Sequence, residues 1–423
     1  MEESNDGGHI KAPRVSTATL EFSQLLQTCN NAIPRVLEIF TEKAIGSRLH
    51  KSSLSALKSM YRRPNLTFGG KLKRASKLVA VLAAAVLITT GCSSSSSDNA
   101  GADVKVGLAY DIGGRGDKSF NDSAAVGLDQ AIAEFGIETK EVTVTTQSDA
   151  EREDKLRLLA EAGYNPIIAV GFLYATSLKL VAADYPDINF GIIDDSSIAA
   201  PNVAGLIFAE EQGSYLVGVA AALESKSGKV GFIGGVRTPL LQKFEAGFAA
   251  GVKATKPSAT VDVKYISEPP EFSGFNDPAK GKVIAKGMID KGADVIYSAA
   301  GGSGAGNFAA AVEAGAAGKK VWTIGVDSDQ YLTVSADEQA NMLTSMLKRV
   351  DRAVYDVISA AVNGKTVNDV LDAAAGTVGR SYGLELDGVG VSYSGDYITK
   401  YKDQIDKAAA DIKSGAIKVP TKP

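Results

Sequence analysis

From Val104 onward, short apolar runs alternate with segments whose apolar residues recur at helical spacing. Val104–Tyr110, Ile167–Gly171, Phe190–Asp194, Val203–Phe208, Lys229–Gly235, Asp294–Ala299 and Trp322–Val326 read as buried strands, each bounded by Gly, Pro, Asp or Asn. Glu141–Thr146 and Val261–Ile266 alternate like half-exposed strands. Between the strands, Ser123–Phe135, Ala175–Asp184, Glu210–Glu224, Leu241–Thr255 and residues 282–291 read as helices, and Ser148 to Glu151 forms a capping-box pattern opening another that reaches Ala162. Toward the end, Met342–Asn363 reads as one helix and Leu384–Tyr393 as a final strand. Regular strand–helix alternation predicts layered α/β architecture with parallel sheets.

The pattern occurs twice. Val104–Tyr110 (VKVGLAY) has a counterpart in Lys229–Gly235 (KVGFIGG), Pro166–Gly171 in Asp294–Gly301, and Phe190–Ser196 (FGIIDDS) in Trp322–Asp329 (WTIGVDSD). Val104, Ile167 and Phe190 are 63 and then 23 residues apart; Val230, Val295 and Trp322 are 65 and then 27 apart. Three matches in order at similar spacing predict two similar lobes with facing strand ends. The expected boundaries are 104–225 with about 341–380 for the first lobe, and 226–340 with about 381–395 for the second, followed by a C-terminal segment at 396–423.

The first hundred residues have a different character. Lys71–Lys77 is basic, Leu78–Ile88 is apolar, and Thr89-Thr90-Gly91-Cys92 precedes five serines, which is the layout of a secretory signal. The apolar run is short for a membrane span. Residues 60–91 are therefore expected to be a signal peptide, and 92–103 a flexible tether. Residues 1–59 fit neither role, and translation is expected to begin at Met60 or later.

Composition narrows the chemistry. Residues 1–91 carry 13 Lys/Arg against 6 Asp/Glu, which leaves 32 against 43, a net −11, from Cys92 onward. An acidic body argues against nucleic acid as a partner. Both histidines, His9 and His50, and the second cysteine, Cys29, precede Cys92. A chain starting there has no histidine and no free thiol, so Ser-His-Asp and Cys-His catalysis and a zinc site drop out. No cofactor and no enzymatic activity are expected. The Gly304–Ala309 segment fits a dinucleotide fingerprint only as a lone match in the second half of the chain.

Asp111–Asp122 (DIGGRGDKSFND) follows the first strand, where α/β folds place ligands. Asp111, Asp117, Asn121 and Asp122 supply hydrogen-bonding groups, Phe120 a flat apolar face, and the glycines a tight turn. Asp194 and Asp327 stand at matched strand ends, where they either bind ligand or cap the helices that follow.

The chain resembles the basic membrane protein family of bacterial lipoproteins, purine-nucleoside receptors of ABC transporters. The resemblance spans Val104–Tyr393 and rests on DKSFND at 117–122, EEQGSYLVGVAAA at 210–222, KVGFIGG at 229–235, GADVIYSAAGGSG at 292–304 and VDSDQ at 326–330. It implies a type I periplasmic-binding-protein fold: two Rossmann-like lobes with parallel sheets, joined by a three-crossover hinge and closing over a ligand. It further implies that Phe120 stacks on one face of a base, with Phe275 or its loop neighbour Phe272 on the other. By the same resemblance, Asn121 and Asp194 bind the base edge, Asp327 takes ribose hydroxyls with Lys348 nearby, and Asp111 and Gly301 line the pocket. Ala124-Ala125 stand where many relatives carry a bulky aromatic. LITTGC resembles a lipobox and implies lipidation of Cys92, hence anchoring on the extracytoplasmic face of a bacterial membrane. The implied partners are a nucleoside and an ABC permease, and the receptor is expected to be a monomer. A same-fold receptor for a sugar or another small metabolite is the alternative, ahead of a carboxylate-dependent nucleoside hydrolase.

Overall fold

The structure, a computed structural model, describes residues 103–372 and 379–423. The expectations for the signal, for residues 1–59 and for Cys92 lie outside these residues. Among the described residues no helix is long and apolar enough to cross a membrane.

The chain runs β1 (Lys105–Tyr110), α1 (Phe120–Phe135), β2 (Glu138–Thr143), α2 (Asp149–Glu161), β3 (Ile167–Val170), α3 (Ala175–Asp184), β4 (Phe190–Ile193) and β5 (Val203–Phe208). Next come α4 (Glu210–Glu224), β6 (Lys229–Val236), α5 (Pro239–Thr255), β7 (Thr260–Ser267), α6 (Pro278–Asp290), β8 (Val295–Ala299), α7 (Gly304–Ala316) and β9 (Trp322–Asp327). The last elements are α8 (Ala336–Gln339), β10 (Met342–Lys348), α9 (Val350–Val362), β11 (Gly379–Tyr382), β12 (Val389–Val391) and α10 (Lys402–Lys413). They build two six-stranded sheets, ordered β11-β5-β4-β3-β1-β2 and β12-β10-β9-β8-β6-β7.

The two orders are equivalent strand for strand, and each repeat seen in the sequence falls on an equivalent pair: β1 with β6, β3 with β8, β4 with β9. All pairings are parallel except β10 with β12. Central strands such as β3 and β4 are buried along their whole length, which is why they read as unbroken apolar runs.

The chain passes between sheets three times: after β5 into α4, after β10 into α9, and between β11 and β12. Helix α4 packs on α5 beside the second sheet, and α9 packs on α1 beside the first. The α4–α5 contact needs glycine, since a Cβ on Gly247 or Gly251 would lie 2.1 or 2.2 Å from the carbonyl oxygen of Glu211 or Tyr215. Gly218 on the α4 face is similarly close, since a Cβ there would lie 2.4 Å from the carbonyl oxygen of Phe248, so α4 packs with the second lobe.

Several expectations are corrected. The first passage comes at Ala209 rather than near 225, because α4 finds its small-residue partner in α5. Met342–Lys348 is a strand, not the start of a helix, and it pairs with β9 in the second sheet, so the chain returns to the first lobe only at Val350. Met342, Leu343, Met346 and Leu347 have helical spacing, but a central strand buried on both faces does not alternate either. Leu384–Tyr393 contains a short 3-10 turn before β12, and β11 at Gly379–Tyr382 stays in the first sheet. Strand β2 lies three residues earlier than expected, paired in register with β1 from Lys105 to Tyr110. Only half of the capping box forms: Ser148 Oγ accepts from Glu151 N at 3.1 Å, while the Glu151 carboxylate accepts from Thr145 and Thr146.

Candidate ligand-binding cleft

Phe120, at the start of α1, owes its place to the turn before it. The Asp117 carboxylate accepts from the backbone N–H groups of Ser119 (2.8 Å), Asn121 (2.8 Å) and Asp122 (3.1 Å), so it caps the helix. Burial pushes the Asp117 carboxyl upward in pKa, against those three hydrogen bonds. Ser119, the residue preceding the helix, is then free to point elsewhere. Its Oγ donates to Asp327 Oδ2 at 2.5 Å in the other lobe, and Ser328 Oγ donates back to Ser119 O at 2.8 Å.

Asp194 follows β4 and Asp327 ends its equivalent β9, and both adopt left-handed backbone, with φ of 68° and 64°. Aspartate tolerates this region better than most residues, at a cost of about 1–3 kcal/mol. The conformation turns both carboxylates into the space between the sheets. Burial raises the Asp327 pKa to about 7 despite the nearby Lys348 ammonium, and raises that of Asp194 to about 6.

Lys348 ends β10. Its side chain is 2% exposed, with Nζ 2.6 Å from Asp194 Oδ1 and 3.2 Å from Glu210 Oε1. The rings of Phe120, Phe208 and Phe244 surround it at 5.0 to 5.6 Å. Burial alone would lower its pKa, but Asp194, Glu210 and Asp327 outweigh that and hold it well above the ordinary lysine value. Lys348 thus stands at a buried strand end between the lobes, not on the helix expected over Met342–Asn363.

The strand ends enclose a cleft whose empty space, open solvent at its mouth included, is about 740 Å³. All eight pocket residues expected from the sequence, Asp111, Phe120, Asn121, Asp194, Phe275, Gly301, Asp327 and Lys348, line it. So does Phe272, the competitor of Phe275. Phe275 is seated on backbone, since a Cβ on Gly235 would fall 2.5 Å from its ring and one on Gly301 3.1 Å from its carbonyl oxygen. Asn121 donates to Asp117 Oδ2 at 3.0 Å, and its own Oδ1 is buried with no partner.

Sequence reasoning passed over Phe172, the apolar wall of Leu240, Leu241 and Phe244, and the charged partner Glu210. Phe172 stands two residues after β3, at a strand end equivalent to the Gly301 turn, and that position was the available signal. It makes edge contacts with Phe272 (6.1 Å) and Phe275 (6.5 Å) across the cleft. Gly171, with φ of 117°, brings backbone against this wall; a Cβ there would meet Asp111 Oδ2 at 3.3 Å and Phe120 at 3.6 Å. Among the described residues no cluster of His, Cys, Asp and Glu is arranged to hold a metal.

Residues 104–422 match the family described as ABC transporter substrate-binding protein PnrA-like. The chain belongs to this family. Members are substrate-binding components of ABC transporters, which act on a ligand and a permease rather than as enzymes. Among its relatives, the CD4+ T-cell-stimulating antigen of Listeria monocytogenes is 36% identical, the match covering 82% of this chain and 98% of the relative. The ABC transporter nucleoside-binding protein BmpA of Lactococcus lactis is 32% identical, covering 83% and 99%. A lipoprotein of Pyrococcus furiosus is 32% identical, covering 68% and 72%. A solved solute-binding protein of an ABC transporter system from Aeropyrum pernix superposes with a TM-score of 0.64 at 28% identity, covering 75% of this chain and 93% of that one. The two α/β lobes are therefore those of a periplasmic-binding-protein fold.

Proposed function

We propose that this substrate-binding protein captures a nucleoside, with a purine base, between its lobes and delivers it to an ABC permease. The observation that carries this reading is the meeting in one cleft of flat rings, a polar edge and a carboxylate. Phe120 and the Phe272–Phe275 loop offer the faces for a base, and Asn121 Oδ1 is a buried acceptor lacking a donor. Asp327, held by Ser119, accepts paired ribose hydroxyls through charge-assisted bonds. The nucleoside-binding relative from Lactococcus supports the same ligand class.

Charge narrows the class further. Asp194, Glu210 and Asp327 outnumber the ammoniums of Lys348 and Lys243, the latter 3.1 Å from Glu210 Oε2. That surplus repels phosphate, so the ligand is the nucleoside rather than its nucleotide. Cys92 carries a lipid that holds the receptor on the extracytoplasmic face of the membrane, and the receptor works as a monomer. The lipoprotein relatives and the signal-like run before Cys92 support the anchor.

Calorimetric titration with guanosine, adenosine, inosine, uridine, guanosine monophosphate and ribose tests the reading. Saturable binding of purine nucleosides, with little from the monophosphate, is expected. Binding of ribose with none of the nucleosides overturns it in favour of a sugar receptor.

A further inference from the structure

We propose that Gln147 is a positioning residue for ligand retention, an amide latch that holds the second lobe's aromatic loop over the bound base. Its ligand-release readout rests on the nucleoside reading above.

Gln147 lies in the loop after β2, and its partners lie in the loop after β7. Its Nε2 donates to Glu271 Oε1 at 3.1 Å, and its Oε1 accepts from Phe272 N at 3.0 Å. Strands β2 and β7 are the equivalent edge strands of their sheets, whereas the three crossovers leave from β5, β10 and β11 toward the opposite edge. A bridge at the β2–β7 edge has the longest lever arm about the hinge, so opening parts it first and widest. An amide suits the place: it donates to a carboxylate and accepts from a backbone N–H with one planar group. A carboxylate at this position would face Glu271 with like charge.

The latch is tied to the cleft from behind. Arg152, 1% exposed, donates from Nη1 to Gln147 O at 3.0 Å and from Nη2 to the cleft carboxylate Asp111 Oδ1 at 2.9 Å. One rigid guanidinium therefore sets both the loop that closes and a group that lines the pocket. On the far side, Glu271 Oε1 also accepts from Ser273 N at 2.8 Å, and Ser267 Oγ donates to Glu271 O at 2.7 Å. The loop held in this way carries Phe272 and Phe275.

The test uses the full chain, loaded with tritiated guanosine and chased with unlabelled nucleoside. Gln147→Ala should speed release about tenfold, the size expected for two exposed hydrogen bonds, and Gln147→Glu more. Association rate and unliganded melting temperature should stay at wild-type values, because the side chain is exposed in the fold. The pair Gln147→Glu with Glu271→Gln restores the donor and acceptor pattern with the polarity reversed, and should return release to within about twofold. Unchanged release in both single variants, with guanosine still bound, overturns the latch and leaves the nucleoside reading standing. If wild type binds no nucleoside, that reading falls, and spin-label distances between the lobes decide the latch. A shift toward open lobes in Gln147→Glu supports it, and identical distributions overturn it.

Discussion

Lys348 of the second sheet places its Nζ 2.6 Å from Asp194 Oδ1 of the first, with both side chains less than 5% exposed. This ion pair crosses between lobes beside a crossover, and Glu210 at the head of α4 completes it at 3.2 Å. Two buried charges cost several kcal/mol each in lost hydration, which their attraction and hydrogen bonds offset only when the geometry is good. Closure in this protein therefore assembles an electrostatic unit that separated lobes would lack.

Removing one partner of that unit leaves the other uncompensated. Lys348→Ala is expected to destabilise the protein by about 3–5 kcal/mol, the range for breaking a buried pair. Equilibrium denaturation of the variant checks this, and a loss below about 1 kcal/mol would show that water reaches Asp194 in the closed form.

The aromatic loop separates two candidate stacking residues. Phe120→Ala and Phe275→Ala should each weaken nucleoside binding by about 1–3 kcal/mol. Phe272→Ala should cost less, because Phe275 is the residue held in place, its ring against Gly235 and its carbonyl against Gly301. Titration of the three variants with guanosine decides the order.

Affinity should depend on pH through Asp327. In the folded protein its pKa is raised to about 7, from about 3.9 in an unfolded chain. Between these values the native state holds a proton that the unfolded state has lost. Protonation thus contributes stability at low pH that is lost as pH rises from about 4 through about 7. Hydroxyl donors from a ribose favour the carboxylate, so binding should release a proton and strengthen as pH rises from about 5.5 to about 8. Titrations in buffers of differing ionisation enthalpy measure the released proton, and the dependence above pH about 6 should shrink in Asp327→Asn, leaving the contribution of Asp194, whose pKa is raised to about 6.

Membrane attachment should rest on one thiol. Cys92→Ala is expected to abolish incorporation of labelled fatty acid and release the receptor from the membrane fraction, leaving nucleoside affinity intact. Metabolic labelling and fractionation check the first two outcomes, and titration checks the third.

Much of this molecule is readable along the chain. Unbroken apolar runs marked β3, β4, β8 and β9, because central parallel strands bury both faces. The internal repeat anticipated two similar lobes with facing strand ends, and the two sheets do share one strand order, with Asp194 and Asp327 at equivalent ends. The family resemblance added the roles expected of Phe120, Asn121, Phe275 and Lys348, all of which line the cleft.

Other features were settled by contacts between residues far apart. Met342–Lys348 carries an apolar spacing that satisfies a helix equally well, and only pairing with β9 and β12 makes it a strand and buries Lys348. Ser119 looks like a helix cap, yet Asp117 takes that role and frees the hydroxyl for Asp327, 208 positions away. The passage after β5 shifted to Ala209 because α4 packs on the glycines of α5. Local patterning determined most of the strands, the repeat and the polar turns, since these depend on a few neighbouring residues. Only the tertiary structure decided which charges are buried together and what bridges the lobes, since burial and pairing depend on whatever the fold brings to within a few ångströms.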